Sequence, residues 1–509
     1  MLLETNRMIV PRLLILCVSV AAMLPWQIGC RSTPVISPIV STESTAGLTP
    51  GPKSQGSSDE EEGNVRQASF MQPVEEGIPP SFVSTSDGPE YTLSDAIRRA
   101  IDANPDLVSV AEQLAYADAS LARARAEFYP KLGVVEQYGV TNNPVTAFMF
   151  QLNQRLLDPA QDFNNPSTTD NFHTQILLQH TLYSGGRRLH QMHAAEAQRN
   201  TATLSLLALQ NQLVFRVAEA YYRVLQARAL LEVRLEAVTQ VEQHLKSVKT
   251  RFHNDTAVKS DVLTVEVRLA EVREALISAQ NQLQLAWAVL ENVTGAPIET
   301  RMLPDSIPVA PWSEHVRKLE LAISAATTRR AEIGALASRR RAATEGVLVA
   351  EAGKRIGVDL VTNYDVFTGD FERAGDSFFA GLVIQLNLFD GGRTRTEVAR
   401  AAAKVRQLQA HEKRLILDIE LDVRRAYLQH RDAEARLGVA AQAIKQGREN
   451  LREIEVRYRG QNATITQLID AQVALSNTRV RQTSAEAEVQ IARAALQRAM
   501  GRLDELVAP

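Results

Sequence analysis

The chain has 509 residues, of which 45% are hydrophobic and 5% aromatic, and its mean hydropathy is −0.16. Its 56 basic and 59 acidic side chains leave a formal net charge of −3. A membrane helix needs about 20 consecutive apolar residues, and no segment beyond the N-terminal region approaches this, so a polytopic helical membrane protein is excluded. The near-neutral charge also argues against a nucleic-acid partner, which would select for a basic surface.

Residues 1–30 have the features of a secretory signal. Arg7 and Arg12 precede the apolar stretch Leu13–Leu24, which is too short to span a bilayer comfortably. Cys30 follows a glycine at the end of this segment, which resembles the lipobox of bacterial lipoproteins, although a glutamine stands where that motif prefers leucine. We therefore expect lipidation of Cys30, with ordinary cleavage nearby as the alternative.

Residues 31–90 predict a disordered tether. They are rich in Ser, Thr, Pro, Gly and acidic residues, and eight of the 20 prolines of the chain lie between Pro34 and Pro89. With so little periodic apolar content, this segment cannot bury a core. By contrast, residues 167–296 and 312–508 contain no proline, and an interior proline costs a helix about 3 kcal/mol. Those two stretches can form very long helices.

The sequence after residue 90 is predicted to form two copies of one structural unit. Each unit begins with a helix, continues with two strands of alternating polarity, turns at a double glycine and ends in a very long helix and a returning helix. The predicted opening helices are about Thr92–Phe128, with Thr92 as N-cap, and about Lys318–Lys354. The predicted strands are about residues 131–142 and 172–183 in the first unit, and about 356–367 and 378–389 in the second.

The repeat has a constant offset of 206 residues over more than a hundred positions. It carries Leu182 onto Leu388, Gly185-Gly186 onto Gly391-Gly392, and Arg251 onto Arg457. Loops tolerate insertions, so an offset without gaps indicates mostly unbroken helix. Proline- and glycine-free residues from Arg187 to about Phe252 would form a rod of roughly 100 Å. The resulting divisions are 1–30 signal, 31–90 tether, 91–296 first repeat, 297–317 linker, 318–501 second repeat and 502–509 C-terminal tail.

This duplicated order of elements resembles the TolC-type outer-membrane efflux proteins. Individual matches include Tyr91-Thr92-Leu93, Asn104-Pro105, the arginines that follow the double glycines, and the segment Ala463–Gln472 after Arg457-Tyr458. The resemblance implies a mainly α fold with a small β part. Four strands per chain would contribute to a trimeric 12-stranded β-barrel that continues as a long α-helical barrel in the periplasm of a Gram-negative-type bacterium.

The resemblance also implies a function. The chain would be the outer-membrane exit duct of a tripartite efflux or type I secretion system, working as a homotrimer with a periplasmic adaptor and an inner-membrane pump of the RND or ABC type. Independently, four membrane strands cannot close a barrel alone, because open strand edges are not tolerated in lipid and the smallest single-chain barrels use eight. Oligomerisation is therefore expected on physical grounds.

The resemblance places the gate of such a duct at the helix tips. The family carries acidic residues there, and the matching positions are Gln467 and Asp470, while Asp261 lies in the equivalent turn of the first repeat. We expect three copies of Asp470 around a symmetry axis to attract cations, with a simple solvated helix-capping aspartate as the alternative. Further predicted tip residues, for contacts between helices or with the adaptor, are Arg251, Arg457 and Tyr458, with ordinary surface charge on a helix as the alternative.

The tips depart from the family pattern, whereas the double glycines agree with it. Asp255 and Gln461 stand where the family usually has glycine at the tips. The double glycines, Gly185-Gly186 and Gly391-Gly392, are predicted to be structural turns between strand and helix.

The sequence contains no catalytic or metal-binding motif. His190 and His193 are neighbours, but no HExxH and no adjacent carboxylate pattern accompanies them, so no metal site, cofactor or enzyme is predicted. After removal of the signal, Cys30 would be the only cysteine left in the chain, so disulfides within the chain are excluded. The main alternative to a duct is a lipid-anchored periplasmic coiled-coil scaffold or adaptor without a channel, which would explain the helices but not the paired strands.

Overall fold

The computed structural model describes residues 90–502, except for 159, 163, 299–301, 305–306, 308–317, 371–372 and 461. The predicted signal with Cys30, almost all of the tether, most of the linker, the tail after residue 502 and Gln461 therefore lie outside the described residues.

The described chain is mainly helical, with one small antiparallel sheet. Its elements in chain order are α1 (Leu93–Ala103), α2 (Pro105–Ala126), β1 (Lys131–Thr141), α3 (Pro144–Asn153), β2 (Thr169–Tyr183), α4 (Arg187–His253), α5 (Lys259–Thr294), α6 (Leu319–Arg329), α7 (Ala331–Glu351), β3 (Gly357–Thr368), β4 (Gly375–Gln385), α8 (Arg393–Arg459) and α9 (Ile465–Met500).

The two-fold repetition is preserved to the residue in the long helices. Helices α4 and α8 have 67 residues each, and the returning helices α5 and α9 have 36 each. Each pair begins and ends at the 206-residue offset. Both returning helices end at a glycine in the left-handed conformation, Gly295 and Gly501. The internal repeat read from the sequence is confirmed.

The opening helix of the first repeat is broken, contrary to the prediction of one helix over 92–128. Thr92 is the N-cap, as predicted, and it forms a capping box with Asp95. Asn104 then leaves the helical conformation, and its side chain accepts hydrogen bonds from the first amides of α2 while Pro105 occupies the first position. The Asn104 side-chain amide also donates to the Val293 carbonyl, 2.8 Å away. Proline disfavours the helical conformation of the preceding residue, which explains the break.

The second repeat breaks at the equivalent place without a proline. Arg330 is extended between α6 and α7, so the helix predicted over 318–354 is also wrong as a single element. The Arg330 side chain is 11% exposed and lies 2.8 Å from an Asp422 carboxylate oxygen on α8 and 2.9 Å from Glu332. Asp422 also pairs with Arg498 of α9 at 3.0 Å. An ion-pair network thus replaces the asparagine and proline of the first repeat.

Glu332 is held in its charged form by this network. Burial acts to raise the pKa of Glu332, but the hydrogen bond and the charge of Arg330 outweigh it, so the pKa lies below its usual value of 4.5. A carboxylate whose folded pKa is depressed stabilises the fold above its unfolded pKa. This stabilisation is lost as the pH falls below 4.5 through the folded value.

The core lies along the long helices. Buried side chains recur along α4 at spacings of four and three residues from Leu213 to Ala227, and most of them pack with α1 and α5 in an apolar cluster around Ile97, Tyr221 and Leu290. A second cluster, around Val265 and Leu468, joins the tip ends of both repeats. Among the described helices, none has a stretch apolar and long enough to cross a bilayer.

The four strands form one antiparallel sheet in the order β1-β2-β3-β4. The central pairing, β2 with β3, joins the two repeats and places Ile176 opposite Tyr364. The outer pairings place Val134 opposite Ile176 and Phe378 opposite Tyr364. Strands β1 and β3 lie within one residue of the predicted ranges, and β2 begins three residues earlier than predicted.

The fourth strand is the exception, because the range 378–389 extends four residues too far. Strand β4 begins at Gly375 and ends at Gln385, which pairs with Gly357, the first residue of β3. Residues beyond Gln385 have no further β3 residue to pair with. Phe389 is 90% exposed, and Asp390 then accepts hydrogen bonds from the amides of Gly392 and Thr394 at the start of α8.

Candidate functional site

One face of the sheet is mostly apolar and open, although Glu136 and Thr174, which hydrogen-bond each other, also lie on it. The row Val134, Ile176, Tyr364 and Phe378 crosses all four strands, and its neighbours on the same face include the exposed apolar side chains Leu132, Tyr138, Val140, Leu382 and Ile384. Leu132 is 70% and Ile384 69% exposed. So large a contiguous apolar surface is not typical of a face that meets water. It has the character of a lipid-facing surface.

The opposite face carries a polar network. Asp365 on β3 is buried and lies 2.8 Å from His173 Nε2, and it accepts a hydrogen bond from Gln175 at 2.8 Å. Asn363 also donates to Asp365, and Thr181 donates to Asp359 at 2.6 Å. Alternation along each strand separates these groups from the apolar face. Such a polar interior is what a water-filled barrel requires.

The sheet has two open edges. Within the described residues, β1 pairs only with β2 and β4 pairs only with β3, so the outer backbone groups of β1 and β4 have no strand partner. Unpaired strand edges are a template for pairing with another chain and cannot remain open in lipid. The site is therefore incomplete in a single copy of the chain.

The double glycines form the turns from strand to helix. Gly185, Gly186, Gly391 and Gly392 all have φ between +64° and +88°, a conformation that favours glycine. Gly185 is also sterically confined, because an added Cβ would lie 2.7 Å from Cβ of Arg355. The second pair has open space around it, so only its backbone conformation requires glycine.

The first tip turn ends α4 in a Schellman motif. The amide of Thr256 donates to the Arg251 carbonyl at 2.8 Å and that of Asp255 donates to the Phe252 carbonyl at 3.1 Å. Asp255 has φ +55°, so it takes the left-handed position that glycine favours. The departure from the family pattern thus places a non-glycine residue in a strained conformation. In the second repeat Arg457 occupies the equivalent position and its carbonyl accepts from Asn462 at 2.8 Å.

Replacing Asp255 with glycine is expected to stabilise this tip. The left-handed conformation costs a residue with a Cβ about 1 kcal/mol, and glycine removes that cost. Slower hydrogen exchange of the Asp255 and Thr256 amides would show the effect. Asp255→Ala is the control, since it keeps the Cβ and should give no such protection; equal protection in both variants would contradict the explanation.

The start of α9 places Gln467 in a capping box. The Thr464 amide donates to Gln467 Oε1 at 3.0 Å, while the Gln467 amide donates to Thr464 Oγ1 at 3.2 Å. Asp261 occupies the equivalent third position of α5, where an acidic group favours the helix N-terminus. Gln467 therefore caps its own helix.

Asp470 lies one turn further along α9. It is exposed, and its side chain makes no hydrogen bond or ion pair to any residue that the structure describes. Because Thr464 is the N-cap, Asp470 does not cap this helix. Its carboxylate is therefore available to act at the tip.

Two of the other predicted tip residues, Arg251 and Tyr458, link the two repeats. The Arg251 guanidinium lies over the Tyr458 ring, 4.6 Å from its centroid, which joins the end of α4 to the end of α8. Arg457 instead forms an ion pair with Glu453 on its own helix. Further from the tip His244 of α4 contacts Gln472 of α9. Burial lowers the pKa of His244, although the Glu455 carboxylate acts in the opposite direction.

The sheet and the tips together are the two ends of a duplicated helical framework, and a family model agrees with that architecture. The model described as "Outer membrane efflux protein" matches residues 96–296 and 322–502. The chain belongs to this outer membrane efflux protein family. The two matched segments fall on the two repeats, and an efflux role in the outer membrane follows from the membership.

The individual relatives have low sequence identity to this chain. This efflux protein is 23% identical to the outer membrane protein TolC of Vibrio cholerae over 84% of its own length and 95% of that protein. It is 27% identical to the protein CyaE of Bordetella pertussis, over 64% of its own length and 70% of that chain. The solved structure of the outer membrane protein VceC of Vibrio cholerae shares its fold, with a TM-score of 0.67, 20% identity and coverage of 80% and 96%.

Membership in this family supports the duct and not the channel-free scaffold. The family consists of transport proteins, and the paired strands that the scaffold left unexplained are the part of this efflux protein with an apolar, exposed face. Two features were missed from the sequence: the Arg330 network, and the meeting of His190 and His193 with Glu345. Both depend on residues far apart in the chain, so no local motif signals them.

Proposed function

We propose that three copies of this chain close a 12-stranded barrel in the outer membrane and form the exit duct of an export system. The observation that supports it is the open sheet, with its exposed apolar face and two unpaired edges. Antiparallel pairing of β4 of one copy with β1 of the next would continue the alternation of the sheet and leave no edge in lipid. The inner-membrane pump, of the RND or ABC type, and a periplasmic adaptor would deliver substrates to the helical end.

The number three has a physical argument besides the family resemblance. Two copies would supply eight strands, and an eight-stranded barrel has an interior just wide enough to be filled by side chains. Three copies supply twelve and leave room for a water-filled path. The exposed Leu388 and Phe389, beyond the end of β4, would be covered by lipid or by the neighbouring copy in this arrangement.

Disulfide trapping tests the shared barrel. One cysteine is placed on β1 at Val135 and one on β4 at Val383 in a chain that keeps Cys30, so that processing is unaltered, and the chain without added cysteines is run beside it. Neighbouring β4 positions are scanned, because a single copy does not fix the pairing register between copies. Trapping should produce covalent dimers and trimers, which resolve on denaturing gels and return to monomers on reduction. A cysteine at Leu177, on central β2, is the matched control. A chain that remains monomeric in detergent and gives no covalent trimer with any pair would overturn the proposal.

We propose further that Asp470 contributes to the gate of this duct. Its exposed carboxylate near the start of α9 would lie close to the three-fold axis, where three like charges attract cations and resist close approach. Arg251 and Tyr458 would restrain the tips by their stacking contact, and Arg457 would remain at the surface.

Asp470→Ala is expected to weaken block by divalent cations and so to raise the single-channel conductance measured in their presence. The reason is the removal of three carboxylates from one constriction. Conductance in planar bilayers, measured with and without added Mg²⁺, gives the result. Asp418→Ala, which removes an exposed acid from the middle of α8, should leave both quantities unchanged. If the Asp470 variant conducts as the unmodified protein does, with the same Mg²⁺ sensitivity, Asp470 is not part of the gate.

A further inference from the structure

Two histidines and a glutamate meet where the helices approach the sheet. His190 and His193 lie on one face of the first turns of α4, and Glu345 lies opposite them on α7. His190 Nδ1 is 2.8 Å and His193 Nδ1 is 3.8 Å from the same Glu345 carboxylate oxygen. One ligand atom from each residue lies within 4.8 Å of the others, and all three side chains are partly buried.

The two helices that carry these groups are held close together. Thr201 of α4 donates a hydrogen bond to the Ala335 carbonyl of α7 at 3.4 Å. Leu204 of α4 packs directly against Gly334 of α7, since a Cβ added to Gly334 would lie 3.0 Å from Leu204 Cδ1. On the other side of the cluster, Arg355 donates to the Gly185 carbonyl at 3.1 Å. These contacts fix the distance between the helices, so the three side chains are presented by rigid elements.

We propose that His190, His193 and Glu345 form a binding site for a divalent transition metal, with Zn²⁺ as the best fit. Two imidazoles and one carboxylate are a donor set that zinc uses with three protein ligands and water in the fourth position. Ni²⁺, Co²⁺ and Cu²⁺ accept the same nitrogen donors, whereas Mg²⁺ and Ca²⁺ prefer oxygen ligands throughout.

The spacing requires only small adjustments. Ligand bonds of 2.0–2.2 Å in a tetrahedral site place neighbouring donor atoms about 3.4 Å apart. The two histidine-to-carboxylate distances, 2.8 Å and 3.8 Å, lie on either side of this value. The ligand atoms of the two histidines lie within 4.8 Å of each other, so changes in the side-chain torsions of both histidines and of Glu345 would be needed to bring all three into range, without moving a helix.

The site would connect the two repeats. Its histidines belong to the first repeat and its glutamate to the second, directly beside the turn at Gly186, whose added Cβ would lie 3.5 Å from the His190 ring. The β2–β3 pairing is the neighbouring connection between the repeats. A bound metal would therefore fix the joint between helices and sheet, and would stabilise the folded state in proportion to its occupancy.

The competing explanation is a metal-free hydrogen bond between His190 and Glu345. The Glu345→Gln substitution distinguishes the two explanations. Glutamine keeps an oxygen that accepts a hydrogen bond from the imidazole, but it is a poor metal ligand. If the link is only a hydrogen bond, the variant should be as stable as the unmodified protein. If the three residues bind a metal, the variant should bind that metal more weakly.

The experiment uses the full-length protein, purified in detergent without a polyhistidine tag and stripped with EDTA. Titration with Co²⁺ should give visible absorption of a four- or five-coordinate ion, saturating at one equivalent per chain, and Zn²⁺ should displace it. His193→Ala and Glu345→Gln should each weaken Zn²⁺ binding at least tenfold in calorimetry. His411→Ala, an exposed histidine on α8, is the control and should bind as the unmodified protein does.

Two results would overturn the proposal. One is the absence of saturable Co²⁺ or Zn²⁺ binding by the stripped protein. The other is unchanged binding in both site variants, with circular dichroism showing that each retains its helices. Neither result bears on the shared barrel, which disulfide trapping tests separately.

Discussion

Replacing Ile176 with arginine is expected to prevent stable insertion of the sheet into the outer membrane. Ile176 lies at the centre of the apolar face, between Val134 and Tyr364 on the neighbouring strands. An arginine on the lipid face near the bilayer midplane costs about 2–4 kcal/mol, and each copy of the chain in the assembly would bear this cost. The heat-sensitive oligomer band on gels and the amount of protein in the outer-membrane fraction should both fall sharply.

Gln137→Arg is the matched control on β1. Gln137 lies on the opposite, polar face of the sheet, opposite His173. An arginine there would extend among polar groups, so assembly and membrane localisation should stay close to normal. Equal loss in both variants would mean that the two faces do not differ in environment, which would remove the basis for the proposed barrel.

Asp422→Ala is expected to destabilise the helical part by about 2 kcal/mol. The substitution leaves Arg330, whose side chain is 11% exposed, and the partly buried Arg498 without the carboxylate that joins them. Breaking one partner of a fully buried ion pair costs about 3–5 kcal/mol, and the 27% exposure of Asp422 reduces that figure. Urea unfolding of the detergent-solubilised protein, followed by circular dichroism at 222 nm, should show a lower midpoint, with the slope unchanged.

Asp418→Ala, one turn earlier on α8, provides the comparison. Asp418 pairs with Arg414 on the same helix, and both side chains are largely exposed. Exposed pairs of this kind contribute less than about 0.5 kcal/mol, so the unfolding midpoint should barely move. If the two variants unfold alike, the Arg330 network is not what holds the break between α6 and α7.

The sequence by itself determined the features that depend on local backbone chemistry. The lengths of α4 and α8 follow from the absence of interior proline and from the constant 206-residue offset. The faces of the strands follow from alternation, and the left-handed turns at the two double glycines follow from the lack of a Cβ. These properties are encoded within a few residues, so their prediction needs no knowledge of distant partners.

Three other features of the protein were decided only by its tertiary structure. The break at Arg330 depends on Asp422, 92 residues away, and has no proline to announce it. The end of β4 depends on where β3 begins, because a strand stops where its partner has no residue left to pair. Glu345 reaches His190 across 155 residues, and only the close packing of α4 and α7 brings the carboxylate to the imidazoles. In each case the energy comes from contact between segments, which no local pattern records.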